Sequence, residues 1–80
     1  MCRIVEHHAT PTVNASGKTD AASTMVTGTL TLGGQPVGVK IVQSLNHNWS
    51  VDLGAKPSGT YHLTATAPPE ASDSVDITVP

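Results

Sequence analysis

Apolar and polar residues alternate along much of this chain, most regularly between Gly59 and Ala67. Side chains of a β-strand point to opposite faces with a period of two, so such alternation predicts a strand with one buried face. The side chains expected to be buried here are Tyr61, Leu63, Ala65 and Ala67. The intervening side chains, which are expected to face outward, are His62, Thr64 and Thr66.

The same alternation recurs along the chain at a spacing of roughly 8–12 residues, and no helical periodicity is present. Turn signals such as Gly33-Gly34 and Pro68-Pro69 separate the alternating stretches. Short strands at this spacing are typical of an all-β sandwich. We therefore predict short strands over residues 3–8, 12–13, 25–32, 37–42, 49–53, 60–67 and 74–79.

The apolar side of these strands predicts the core. Trp49 and Tyr61 are the only aromatic residues, and large aromatic side chains dominate small cores, so both are interpreted as core residues rather than ligand-stacking residues. The predicted core is Val26, Leu30, Val39, Ile41, Trp49, Val51, Tyr61, Leu63, Ala65, Val75 and Ile77.

Size and charge narrow the classes of function. Eighty residues predict one small domain. The net charge is −2 and the four Lys and Arg residues are scattered, whereas nucleic-acid binding needs clustered cations. No apolar run approaches the ~20 residues of a membrane helix, and the first residues lack the apolar segment of a signal peptide. We expect no nucleic-acid partner and no membrane insertion.

The residue types that carry chemistry do not form a recognisable site. His7 and His8 are adjacent and would point to opposite faces of a strand, while His47 and His62 lie in a predicted loop and on an outward position. A metal site needs ligands that converge, and no serine lies in a nucleophile-elbow motif. Cys2 is the only cysteine and is expected to be a bystander thiol. We therefore expect no metal, no cofactor and no enzymatic activity.

Two segments resemble a known family. The run from Pro57 to Leu63 resembles the "tyrosine corner" of immunoglobulin-like domains, in which a Tyr at the start of the penultimate strand bonds back to nearby backbone. The longer pattern over residues 48–53, 59–67 and 75–79 resembles the immunoglobulin-like (Big-type) repeats of bacteria and phages.

The resemblance implies an immunoglobulin-like Greek-key β-sandwich of about seven short strands. It also implies that the Tyr61 hydroxyl bonds to backbone between Gly54 and Pro57. The sequence departs from antibody domains in that Leu63 stands where they have their second cysteine and Trp49 lies later than their core tryptophan. Pro57 also replaces an acidic residue often found near the corner. The expected sandwich therefore has no disulfide.

The first ten residues are expected to be separate from the sandwich. We divide the chain into an N-terminal arm over residues 1–10 and a domain over residues 11–80. Ile4 and Val5 have no obvious place in a self-contained sandwich, and an unpaired strand-forming segment is a template for pairing with another chain. The arm is expected to be poorly ordered in the isolated protein. The predicted protein-binding residues are Arg3, Ile4, Val5, Glu6, His7 and His8.

Two functions follow from this fold and from a start at Met without a signal-peptide pattern. The first is a phage virion accessory protein, a capsid-decoration or tail-surface subunit that docks onto the major capsid protein or onto sister subunits at the virion surface. The second is a spacer or carbohydrate-binding module of a bacterial surface adhesin or secreted enzyme, with a cell-surface glycan as ligand. Both are non-enzymatic, and the fold alone does not decide between them.

Overall fold

The computed structural model describes residues 1–80 and contains seven β-strands and no helix. The strands are β1 (Arg3–Ala9), β2 (Thr12–Lys18), β3 (Met25–Leu32), β4 (Gln35–Gln43), β5 (Asn48–Ala55), β6 (Gly59–Thr66) and β7 (Asp73–Val79). They form two antiparallel sheets, ordered β1-β2-β5 and β4-β3-β6-β7. The predicted all-β sandwich without a disulfide is confirmed.

The chain crosses between the sheets after β2, after β4 and after β5. In immunoglobulin-type sandwiches the first, second and fifth strands share one sheet and the third, sixth and seventh share the other, as here. The fourth strand lies beside β3 rather than beside β5. As a result β4 and β5 are edge strands of different sheets on the same side of the molecule.

The core lies between the two sheets and forms one cluster of 14 buried residues. Tyr61 and Trp49 are both buried in it, and Val75 packs against it from a half-buried position. Burial of large apolar side chains is the main favourable contribution to folding in a domain this small. The predicted core residues that are buried are Val26, Leu30, Trp49, Val51, Tyr61, Leu63, Ala65 and Ile77.

A β-bulge near the start of β4 changes which of its side chains face the core. Thr31 pairs with Pro36, but Leu30 pairs with Gly38, so Val37 is an extra residue in β4. Because side chains alternate with a period of two, one extra residue turns every later side chain to the opposite face.

The prediction that Val39 and Ile41 are buried is therefore wrong: their exposed fractions are 61% and 58%. Gly38 faces inward instead, and the Leu53 side chain of β5 approaches to 3.7 Å from the position where a Cβ of Gly38 would be. Leu53 thus packs at van der Waals distance over the backbone of β4 at Gly38.

The first residues do not form a separate arm, which corrects the predicted boundary between residues 1–10 and 11–80. Residues Arg3–Ala9 are β1, an edge strand paired with β2 along its length. Apolar and polar residues alternate irregularly in β1 because this strand, like β4, contains a bulge. The bulge lies between Ile4 and Glu6 and leaves Val5 as the extra residue. Cys2, just before β1, is fully buried in the core.

Candidate functional site

The predicted protein-binding residues Arg3 to His8 lie together on β1. All of their side chains are exposed except that of Ile4, which is half-buried against the core. Val5 is 62% exposed because the bulge turns it out of the pairing. Glu6 and His8 lie on the outer face, where His8 Nε2 is 2.6 Å from Glu6 Oε1. The group is accessible, but it belongs to an ordered strand.

The side of β1 that faces β7 is joined to the rest of the sandwich by two hydrogen bonds, and we call this region the sealed corner. The Cys2 amide donates to the Ala71 carbonyl at 2.9 Å, and the Ile4 amide donates to Asp73 Oδ2 at 2.9 Å. Burial raises the pKa of the Cys2 thiol, and the Glu70 and Asp73 carboxylates raise it further. The thiol is therefore protonated at neutral pH and acts as a small apolar core residue.

The four histidines are spread over the molecule and do not converge. His62 Nδ1 lies 2.8 Å from Asp76 Oδ1 on the outer face of the four-stranded sheet, and His47 Nδ1 lies 3.2 Å from the Thr19 carbonyl. No group of three His, Cys, Asp or Glu side chains is placed to hold a metal ion.

Both aromatic side chains lie inside the sandwich. The Tyr61 hydroxyl donates a hydrogen bond of 2.6 Å to the Pro57 carbonyl, as the tyrosine-corner pattern predicted. Trp49 is buried with its indole Nε1 unpartnered, so it contributes through apolar area. Neither ring is available on the surface to stack against a ligand.

The outer faces of the two sheets differ in polarity. The outer face of the three-stranded sheet is polar, with Glu6 and His8 on β1 beside Asn14 and Ser16 on β2. The outer face of the four-stranded sheet carries threonines from β3 and β6, and an exposed apolar group at its β4 edge. We call this group the β4 stripe; it consists of Val39 and Ile41 on β4 and Met25 at the start of the neighbouring β3.

An open cleft of about 540 Å³ separates the edges of β4 and β5, and we call it the β4–β5 cleft. Its lining consists of the apolar residues Val39 and Leu53, the glycines Gly38 and Gly54, and the charged residues Lys40, Asp52 and Lys56. Asp52 Oδ1 accepts a 2.8 Å hydrogen bond from the Gly54 amide. Neither lysine side chain has an ion-pair or hydrogen-bond partner, although these are two of the four basic residues of an acidic chain.

Neither the β4 stripe nor the β4–β5 cleft was predicted from the sequence. The available signal was Gly38, since a glycine within a strand often marks a bulge or a close approach. Pro36 is a second signal, because proline cannot donate to a ladder and favours irregular pairing near a strand end.

Comparisons with models of protein families, with curated proteins and with solved structures find no match to this chain. The resemblance to Big-type repeats therefore remains a resemblance of sequence motifs.

The structure has no helix that is long and apolar enough to cross a membrane.

Proposed function

We propose that this chain is a non-enzymatic structural module that docks onto a protein lattice, as a capsid-decoration or tail-surface subunit of a phage particle. The observation that carries the proposal is the exposure of a large apolar side chain on an edge strand. Val5 on β1 is 62% exposed. Apolar groups in such positions are typical of surfaces that contact other proteins.

The docking residues in this proposal are Arg3 to His8 on β1. Their exposed side chains combine both signs of charge with one large apolar group, Val5, whose exposure results from the bulge. Contact through such a mixed group suits a specific partner, because charge complementarity selects the partner and apolar burial adds affinity. The proposed partner is the major capsid protein.

The alternative, a carbohydrate-binding module, has less support. Carbohydrate-binding surfaces of the stacking kind need exposed aromatic rings, and the two aromatic side chains of this chain are in the core. The other form of this alternative, a spacer module of an adhesin, would require no docking surface.

The test is to isolate phage particles by density gradient from cells that carry the gene and to quantify this chain by mass spectrometry. We expect it in the particles at a copy number comparable to that of the major capsid protein. Its absence from purified particles, together with binding to glycan-bearing cells, would replace the proposal with the alternative.

A matched pair of variants assigns the docking surface. Val5→Glu places a charge on β1 and is expected to reduce the copy number on particles at least tenfold. Val39→Glu changes a valine of nearly equal exposure on β4 and is expected to leave the copy number within about twofold of the parent, since rim substitutions away from a contact change little. Equal losses in both variants would place the contact elsewhere.

A further inference from the structure

The strand β4 has the features of an edge that pairs readily with another strand. It is the longest strand of the protein, and it hydrogen-bonds to a neighbouring strand, β3, on one side only. Residues 37–42 are Val-Gly-Val-Lys-Ile-Val, and Lys40 is the only charged residue of the strand. Segments of about six residues with high β-propensity and little charge are typical sites of strand pairing between chains.

Two other edge strands carry more protection against such pairing. β1 has four ionisable side chains and a bulge in its middle, and β7 has two aspartates and lies against β1. Natural sheets use charges, bulges and covering segments of this kind to keep their edges free. The bulge of β4 affects only its first third, so the rest of this edge has Lys40 alone.

Lys40 lies on the core-facing side of the sheet. It pairs with Gly28 of β3, which is buried, and its neighbours on the same face of β4 are the half-buried Gly38 and Val42. Lys40 itself is exposed, because it stands at the free edge, where its side chain lines the β4–β5 cleft. A charged side chain that points inward from an edge strand is one of the devices that prevent strand addition.

A second positive charge lies in the same cleft. Lys56 is half-buried, and its Cε is 3.7 Å from the position where a Cβ of Gly38 would be. Neither Lys40 nor Lys56 forms an ion pair with a carboxylate. Both ammonium groups are therefore solvated by water that reaches them through the open cleft.

We propose that Lys40 keeps the β4 edge from pairing with other strands and so determines which edge of the protein is available for contacts between chains. A strand added to the free edge of β4 would lie along the mouth of the β4–β5 cleft and remove this water from Lys40. An unpaired ammonium group that loses its hydration opposes the added strand.

Pairing between two copies of the chain is opposed most strongly. If β4 of one copy were placed along β4 of another, the two-fold symmetry would bring Lys40 and Lys56 of both copies to one junction. Like charges in neighbouring positions of a strand pair are destabilising, and repulsion of this kind is a common source of selectivity. The chain is therefore expected to be monomeric despite the exposed apolar side chains of the β4 stripe.

The experiment is sedimentation equilibrium of the whole chain from about 1 µM to about 1 mM, with the parent compared to Lys40→Val. Valine suits a strand and removes the charge. The parent is expected to stay monomeric over the whole range. Lys40→Val is expected to self-associate with a dissociation constant below about 100 µM, which is at least tenfold stronger association than in the parent.

Two variants serve as controls. Lys18→Val removes the same charge from β2, where the Lys18 ammonium is 2.6 Å from Asn48 Oδ1, and it is expected to stay monomeric. Lys40→Arg keeps a cation at the β4 edge and is also expected to stay monomeric. Thermal unfolding of each variant verifies that it is folded.

Amide hydrogen exchange locates the contact in the associated variant. Every second amide of β4 points away from β3 and has no strand partner in the monomer. Exchange of these amides is expected to slow at least tenfold when Lys40→Val associates, because a second strand then accepts their hydrogen bonds.

A parent that associates anywhere in this concentration range overturns the proposal, and so does a folded Lys40→Val that stays monomeric. Equal association of Lys18→Val would attribute the effect to net charge rather than to the position of Lys40. Association of Lys40→Val without slower exchange in β4 would place the contact elsewhere and also overturn the proposal. All of these outcomes are measured on the isolated chain, so they are independent of the proposed docking onto particles.

Discussion

The two sides of the sandwich differ, because hydrogen bonds close one of them and the other is open. At the sealed corner, hydrogen bonds from Cys2 and Ile4 reach the segment that begins β7, and Cys2 itself is in the core. At the opposite side, the β4–β5 cleft stays open and no side-chain hydrogen bond joins the two strands. The difference indicates that the sealed corner contributes to folding, while the open side is available for contacts with other molecules.

Removal of residues 1–10 is expected to have the largest effect, and it tests whether the sealed corner is part of the fold. The deletion removes β1 and the buried Cys2 and exposes apolar core against which they pack. A small domain has only about 5–15 kcal/mol of stability, so the truncated chain is expected to be unfolded at 25 °C. Circular dichroism on heating measures this. A cooperative transition at the temperature of the parent would show that the segment is a separable arm after all.

The next largest effect is expected when the stability losses from two aspartate substitutions are compared, one at the sealed corner and one at the β4–β5 cleft. Asp73 accepts hydrogen bonds from the Ile4 and Ser74 amides, so Asp73→Ala is expected to lower the free energy of unfolding by about 1–3 kcal/mol. Asp52 accepts one hydrogen bond, from the Gly54 amide, and is exposed, so Asp52→Ala is expected to cost less than about 1 kcal/mol. Urea denaturation gives both values. Equal losses would remove the distinction between the two sides.

A third comparison uses thiol reactivity. Because burial raises the pKa of Cys2 above the ordinary value of 9.0, the native thiol is expected to resist iodoacetamide until denaturant is added. A thiol introduced by Val39→Cys at the open side is expected to react in the native protein. Intact-mass spectrometry counts the alkyl groups, and rapid labelling of Cys2 in the parent would mean that the corner opens readily.

The raised pKa of Cys2 also predicts a dependence of stability on pH. The unfolded thiol loses its proton near pH 9.0 while the folded thiol retains it, so the free energy of unfolding is expected to fall as pH rises above that value. Urea titrations at pH 8 and pH 10 are expected to show a lower midpoint at the higher pH. A Cys2→Ala variant supplies the control, since its midpoint lacks this contribution.

The smallest effect is expected at the open side itself. Val39→Thr keeps the shape and the strand preference of the side chain, so the free energy of unfolding is expected to change by less than about 0.5 kcal/mol. Urea denaturation measures this. A loss above about 1 kcal/mol would mean that Val39 contributes to the core despite its exposure.

Strands and core were predictable from the sequence wherever the alternation is uninterrupted. The stretch around Tyr61 and the one around Leu30 each keep one face through their full length, and the Tyr61 hydrogen bond to Pro57 follows from a local motif. All of these features depend on residues that are close in sequence. A period of two is enough to assign the buried faces of the two strands.

Two of the errors arose at single residues, whereas the strand predicted over residues 12–13 was too short, since β2 continues to Lys18. Val5 and Val37 are extra residues in bulges, and a bulge reverses the faces that simple alternation assigns to the rest of the strand. The sealed corner and the β4–β5 cleft were also not predictable, because each depends on how two edges from different sheets approach each other. The proposed docking residues on β1 remain a prediction.

The bulge at Val37 also has a consequence for folding during synthesis on the ribosome. The hairpin of β3 and β4 leaves the ribosome before Leu53, whose side chain occupies the space beside Gly38 in the finished protein. Until then, Leu53 does not oppose an unbulged register in which Val37 pairs with Leu30, and Val39 and Ile41 turn toward the nascent core. We expect a peptide of residues 25–43 to show both registers by NMR, with Leu53 selecting one of them only when β5 arrives. The strand that exposes the apolar face of this protein would then receive its final orientation from a residue made after it.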